Sequence, residues 1–103
     1  VKRNKHLPLT ETTFYILLAL RQPSHGYVIM QTVEELSCGD VRIAAGTMYG
    51  AIENLLKLKW IKSVASEDKR RKVYQITSLG EEILTLEVGR LRQLSQLAEK
   101  LGL

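Results

Sequence analysis

A single cysteine, Cys38, is the only thiol in this 103-residue chain. One thiol cannot close an internal disulfide, and it cannot build a thiolate-cluster zinc or iron–sulfur site. It fits a reducing compartment. The two histidines, His6 and His25, have no clustered partner ligands, so no metal is expected. Six aromatic residues are too few to line the pocket of a small-molecule carrier. No stretch approaches the ~20 apolar residues that span a bilayer. The nearest, Phe14 to Leu20, follows a basic N-terminus but lacks a small-residue cleavage site, and Thr10 to Thr13 interrupt the layout of a signal peptide. It reads as a buried helix, with no membrane partner. No glycine-rich phosphate cradle follows a strand. Ser24 and His25 are neighbours that would point apart in a helix, without an orienting carboxylate, so they form no catalytic dyad. The expectation is a non-enzyme without cofactor.

What is present is one domain's worth of globular chain, 45% hydrophobic and 25% charged. Its net charge of +4 is unevenly placed. Residues 57–72 carry seven cations (Lys57, Lys59, Lys62, Lys69, Arg70, Arg71, Lys72) against Glu67 and Asp68. Residues 1–6 add Lys2, Arg3 and Lys5, which leaves the rest of the chain net acidic. Such concentration fits either a polyanionic partner or a solvated loop and tail.

Thr10 is placed to cap a first helix running to about Leu20. Pro23 then breaks the chain, and Ser24 is the candidate cap of a second helix from His25 to about Ser37, with Ile29, Met30, Val33 and Leu36 at helical spacing. Gly39 suits the left-handed position that ends it. Val41 to Ile43 is a candidate short strand. A third helix starts near Gly46 or Thr47, with Met48, Ala51, Ile52, Leu55 and Leu56 as its apolar face and Leu58 continuing it. Trp60 to Ser66 and Lys72 to Thr77 flank a charged turn and read as a hairpin, with Tyr74 and Ile76 on one face. Ser78 and Glu81 have the spacing of a capping box opening a last helix to Lys100. The resulting fold class is mostly α with a β-hairpin wing: three helices, a hairpin and a terminal helix, the order of a winged helix-turn-helix.

In that fold the third helix enters the major groove, anchored by one face and presenting short side chains on the other. The stripe Thr47, Gly50, Asn54 and Lys57 meets the requirement. Mid-helix Gly50 costs roughly 1 kcal/mol relative to alanine unless another backbone approaches closely, either a DNA strand or a neighbouring helix. Thr47 lies in the first turn, where free N–H groups favour phosphate, or it serves as a cap. Asn54 has the groups to pair with adenine, or is simply solvated. Lys69, Arg70, Arg71 and Lys72 at the hairpin tip are long enough to reach phosphates or a minor groove.

Several motifs resemble the PadR family. They are His25-Gly26-Tyr27, then Gly46-Thr47-Met48-Tyr49-Gly50-Ala51, then Arg70-Arg71-Lys72 with Tyr74, followed by Thr77 and Gly80. Leu9 to Leu20 and the Trp60-Ile61 slot fit as well, so the likeness covers about residues 7–82. Met48 stands where leucine is commoner, a change that leaves packing intact. The resemblance implies a cytoplasmic bacterial winged-helix regulator of transcription, dimeric, and in most cases a repressor of detoxification, efflux or stress genes. It implies phosphate and base contact by Thr47, Tyr49 and their neighbours (Gly46 and Gly50 among them), supported by Tyr27 and the wing cations. Some short-tailed relatives bind flat aromatic drugs through a tryptophan of the last helix. This chain departs from them, since its only tryptophan, Trp60, opens the hairpin and reads as core. No inducing small molecule is therefore named.

In the last helix Leu84, Leu91, Leu94, Ala98 and Leu101 follow a heptad-like spacing broken by Glu87, and Ile83, Leu86 and Leu97 widen the face. So much apolar surface calls for a partner helix or for packing on the first helix. The expected division is a DNA-binding domain over residues 1–77 and a dimerisation helix over 78–103. A homodimer on a palindromic operator of double-stranded DNA follows. The rival reading is a winged-helix interaction module that reads no DNA.

Overall fold

The computed structural model describes residues 3–103, and its first regular element starts where Thr10 caps it. The Thr10 backbone is extended, and its Oγ1 accepts the Thr13 N–H at 3.1 Å, opening α1 (Glu11–Ala19). There follow β1 (Ser24–His25), α2 (Gly26–Leu36), α3 (Ala45–Lys57), β2 (Ile61–Val64), β3 (Val73–Ile76) and α4 (Ser78–Lys100). The three strands form one antiparallel sheet in the order β1-β3-β2, with Ser24 opposite Tyr74 on one side and Ser63 opposite Tyr74 on the other. This is the winged helix-turn-helix arrangement, with the β2–β3 hairpin as the wing.

One core holds it. Ile16, Leu17 and Leu20 meet Ile29 and Val33 of α2, then Met48, Ile52 and Leu55 of α3, all essentially sealed from solvent. Each such side chain stabilises the fold by about 1.5–3 kcal/mol. Trp60 is buried in this core with Tyr74 and Ile76, the inward pair of β3.

Local expectations needed correction at three places. Ser24 does not cap α2; it lies in β1, and its buried Oγ has no hydrogen-bond partner among the described residues. His25 is the capping residue and gives no side-chain bond. Val41 to Ile43 forms no strand, because no strand lies alongside and the Val41 N–H instead donates to Ser37 Oγ at 2.9 Å. Gly39 (φ 84°) is left-handed after α2 as expected, and Cys38 (φ 53°) before it shares that conformation. The Gly39 N–H reaches back to Glu34 O at 2.8 Å, the Schellman pattern. Finally α4 is capped by Thr77 rather than Ser78: Thr77 Oγ1 accepts the Gly80 N–H at 3.1 Å. Glu81 turns away from the cap to pair with Arg21 Nε at 2.7 Å.

The 23 residues of α4 span about 34 Å. Its first half is rooted in the body, and this corrects the expected dimer face: Ile83 and Leu84 are buried in the chain's own core. From Leu91 onward every residue is exposed except the half-buried Ala98.

Glu87, the interruption in the heptad, faces inward and is only 2% exposed. Its carboxylate receives Arg90 Nη2 at 3.0 Å and, across 78 positions of sequence, the Leu9 N–H at 2.9 Å. It thereby ties the segment before α1 to α4. The Arg90 hydrogen bond holds its pKa below the usual carboxylate range against burial, which pushes it up; the Leu9 N–H and the charges of Arg90 and Arg3 add to the lowering. The contribution is therefore fully present above the ordinary carboxylate pKa and is lost as pH falls through the lower folded value. Glu87→Gln is expected to reduce stability at neutral pH by about 2 kcal/mol. Denaturant melts in acid should then show a flatter fall for the variant than for the parent; equal slopes would mean that the pair is energetically silent.

Candidate nucleic-acid interface

The third helix is gripped on one side and bare on the other. Met48, Ile52 and Leu55 point into the core, while Gly46, Thr47, Tyr49, Gly50, Asn54 and Lys57 are exposed. A Cβ built on Gly50, or on Gly46, meets nothing within 4 Å. Of the two explanations for a mid-helix glycine, close packing against another helix of the chain is therefore excluded. Ala44 caps the helix without a side-chain bond, so Thr47 plays no capping part. The N–H groups of Ala45, Gly46 and Thr47 have no intrahelical acceptors, as at any helix start.

Beside this helix stands the wing. Asp68 shapes its tip, because Oδ1 accepts the Arg70 N–H at 2.9 Å and the backbone carbonyl accepts the Arg71 N–H at 3.0 Å. The turn throws the neighbouring cations outward. Arg70 Nε lies 3.7 Å from Asp68 Oδ1, an exposed and loose pairing that leaves the guanidinium available to a stronger anion.

Between wing and helices lies an open cleft of about 610 Å³, lined by His25, Gly26, Tyr27, Tyr49, Tyr74 and the wing residues Asp68, Arg70, Arg71 and Lys72. Tyr27 is 69% exposed and Tyr49 54%, a large aromatic surface left in water on two adjacent helices. Gly26 explains where Tyr49 sits: a Cβ there would stand 2.5 Å from the Tyr49 hydroxyl. Burial pushes the Tyr74 phenol pKa up, with the nearby Tyr49 adding to it, so Tyr74 stays a neutral O–H. Chemically, the cleft offers phenol donors and strong cations and a single carboxylate. That is a surface suited to phosphate and sugar.

The structure thus brings together Tyr27, Tyr49, Arg70, Arg71 and Lys72, residues from three separate stretches of sequence. It does not bring all the candidates there. Lys69 lines the opposite side of the wing, with Leu56, Ser63 and Val64. Asn54 borders a separate recess, with His6, Thr10, Thr13 and Trp60. Of the basic N-terminal residues, Lys2 lies outside the described residues, while Arg3 and Lys5 are exposed. Glu53 escaped the sequence reading altogether. It is an exposed acid on the outward side of α3, and helical spacing from Tyr49 and Lys57 was the signal that could have found it.

Among the described residues no group of histidine, cysteine and carboxylate side chains suits a metal ion, and no helix is long and apolar enough to cross a membrane.

Comparison with known proteins agrees with this fold. The family model described as the transcriptional regulator PadR-like family matches residues 16–86. No curated protein matches the sequence. Among solved structures, a PadR family transcription regulator from hypervirulent Clostridium difficile R20291 is similar at 22% identity and a TM-score of 0.74, over 89% of this chain and 98% of that one. A PadR family transcriptional regulator from Eggerthella lenta DSM 2243 is similar at 24% identity and a TM-score of 0.71, over 87% of this chain and 80% of that one. A transcriptional regulator from Clostridium thermocellum shares 24% identity at a TM-score of 0.69, over 88% of this chain and 91% of that one. At these identities the structural likeness speaks for the fold.

Proposed function

The chain belongs to the PadR-like family of transcriptional regulators, and on that premise we propose that it is a dimeric, sequence-specific repressor that reads a palindromic operator. Membership makes it a regulator rather than an enzyme. One observation carries the finer reading: the small, polar face of α3 lies bare beside a wing whose cations and neighbouring tyrosines form one cleft. In this reading Gly46, Gly50 and Asn54 lie against the bases. Thr47, Tyr49 and Tyr27 bind the backbone with Arg70, Arg71 and Lys72, and Lys69 reaches a phosphate from the outer side of the wing.

Residues 1–77 then form the DNA-binding body, and 78–103 the dimerisation helix rooted in it. Leu86, Leu91, Leu94, Leu97 and Leu101 are exposed along α4, and a second copy is the cover that suits so long an apolar face, with Ala98 at its edge. A two-fold pairing sets two recognition helices about 34 Å apart, one turn of DNA. Release by a small molecule or stress signal, in the cytoplasm, completes the proposal.

The test is a gel shift with the promoter of its own operon against random duplex, at several salt concentrations, with mass measured by light scattering. A dimer that prefers the promoter at every salt supports the reading. Equal binding to both DNAs, or none, would favour the interaction-module alternative, and a monomer at micromolar concentration would remove the palindrome.

A further inference from the structure

The bare face of α3 is not uniformly suited to a polyanion, because it carries an acid. At about 100° per residue, the inward direction set by Met48, Ile52 and Leu55 places Gly46, Gly50 and Lys57 close to the outward pole. Glu53 and Asn54 flank that pole on opposite sides, each about 50° away. Glu53 is on the side of Tyr49 and the wing, one turn beyond Tyr49 and one turn before Lys57. Gly46 and Gly50 present no side chains and have open space in front of them. Up to Gly50 the centre of the face is therefore shallow, and Glu53 is the first side chain to rise beyond it on the wing side. Its carboxylate takes part in none of the ion pairs among the described residues, which use Glu34, Asp68, Glu81 and Glu87.

An ionised carboxylate only accepts hydrogen bonds. Against phosphates it is repelled, so it works against the arginines of the wing in every non-specific register. In the major groove it is satisfied by an exocyclic amino group, and cytosine N4 is the donor that carboxylates read. Guanine and thymine present acceptors at the corresponding edge. They would leave the carboxylate desolvated and unpaired, at a cost that discriminates strongly.

We propose that Glu53 is a specificity-determining residue: it selects a cytosine in each half-site and holds down affinity for random duplex. The inference rests on the DNA-reading function above and adds the base that one named side chain chooses.

The experiment is selection of bound duplexes from a randomised library by the parent protein, E53A and E53Q, with affinity for random duplex measured alongside. The parent is expected to enrich a half-site with one invariant cytosine. In E53A that position should lose its bias by about tenfold or more while the other positions keep theirs. Its binding to random duplex should tighten. E53Q should shift the same position toward adenine, the base that glutamine pairs with. Both variants should melt with the parent, since Glu53 is exposed. If E53A keeps every base preference of the parent, the assignment is wrong although the DNA reading stands. Loss of all binding in E53A would overturn it as well, because removing an acid cannot weaken attraction to phosphate. A parent protein that enriches no sequence would bring down the function and this inference together.

Discussion

Replacing Gly80 with alanine is expected to lower stability by about 3 kcal/mol or more, and the melting temperature by about 10 °C or more. A Cβ at this position would stand 2.1 Å from the Trp60 carbonyl oxygen and 2.7 Å from Ile76 Cγ1. The first of these is backbone, and it cannot swing aside. The Trp60 oxygen also accepts the Thr77 N–H at 2.9 Å, while Thr77 Oγ1 donates to Lys59 O at 2.7 Å and receives the Gly80 N–H. Three elements meet at this joint: the end of α3, the base of the hairpin and the root of α4. Relief of the clash must move the wing or α4 relative to α3. Thermal unfolding followed by circular dichroism gives the answer. A variant melting within a few degrees of the parent would show that the joint is pliable.

The elements that sequence alone revealed are those with a period. Met48, Ile52 and Leu55 on one side of a helix and Gly50 on the other are a statement about two faces, and the structure keeps both. Thr10 was legible as a cap because its partner, the Thr13 N–H, is three residues away. What escaped depends on partners that sequence does not rank. A two-residue strand such as Ser24–His25 has no period, and it exists only because β3 lies beside it. Thr77 outcompetes Ser78 as a cap because Lys59 O fixes its hydroxyl from 18 positions away. The turns that close α2 and α3 place Cys38 and Lys59 at positive φ, where composition favours glycine; local backbone bonds after each helix overrule the preference. In the candidate site, the cations of the wing and the exposed tyrosines were visible as separate motifs. Their meeting in one cleft, and the exile of Asn54 and Lys69 from it, are properties of the packing alone. The last helix shows the same division. Its apolar spacing was plain, yet only contact with the core separates Ile83 and Leu84, which the fold buries, from Leu91, Leu94, Leu97 and Leu101, which it leaves open.

Removing both wing arginines should have the largest effect on binding. With Arg70 and Arg71 changed to alanine, affinity is expected to fall about a hundredfold or more at physiological salt, and to fall alike on operator and random duplex. The two side chains differ in what they touch. Arg70 faces the cleft beside Tyr27 and Tyr49, whereas Arg71 sits on the ridge and borders both sides of the wing. Among the described residues neither is committed to a strong partner, since the ion pair of Arg70 with Asp68 is long and solvated. Their charge is therefore available to phosphates, and each phosphate neutralised releases a counterion. For a dimer carrying both arginines twice, the slope of log affinity against log salt should shrink by about 3 to 4. Because phosphates carry no sequence information, the ratio of operator to random binding should stay near the parent's. That separates the wing from Glu53, whose loss is expected to change the ratio and tighten random binding. A salt titration of the double variant that keeps the parent's slope would take the wing out of the interface. The cleft would then need another anion to explain why Asp68 builds a turn that throws arginines into water.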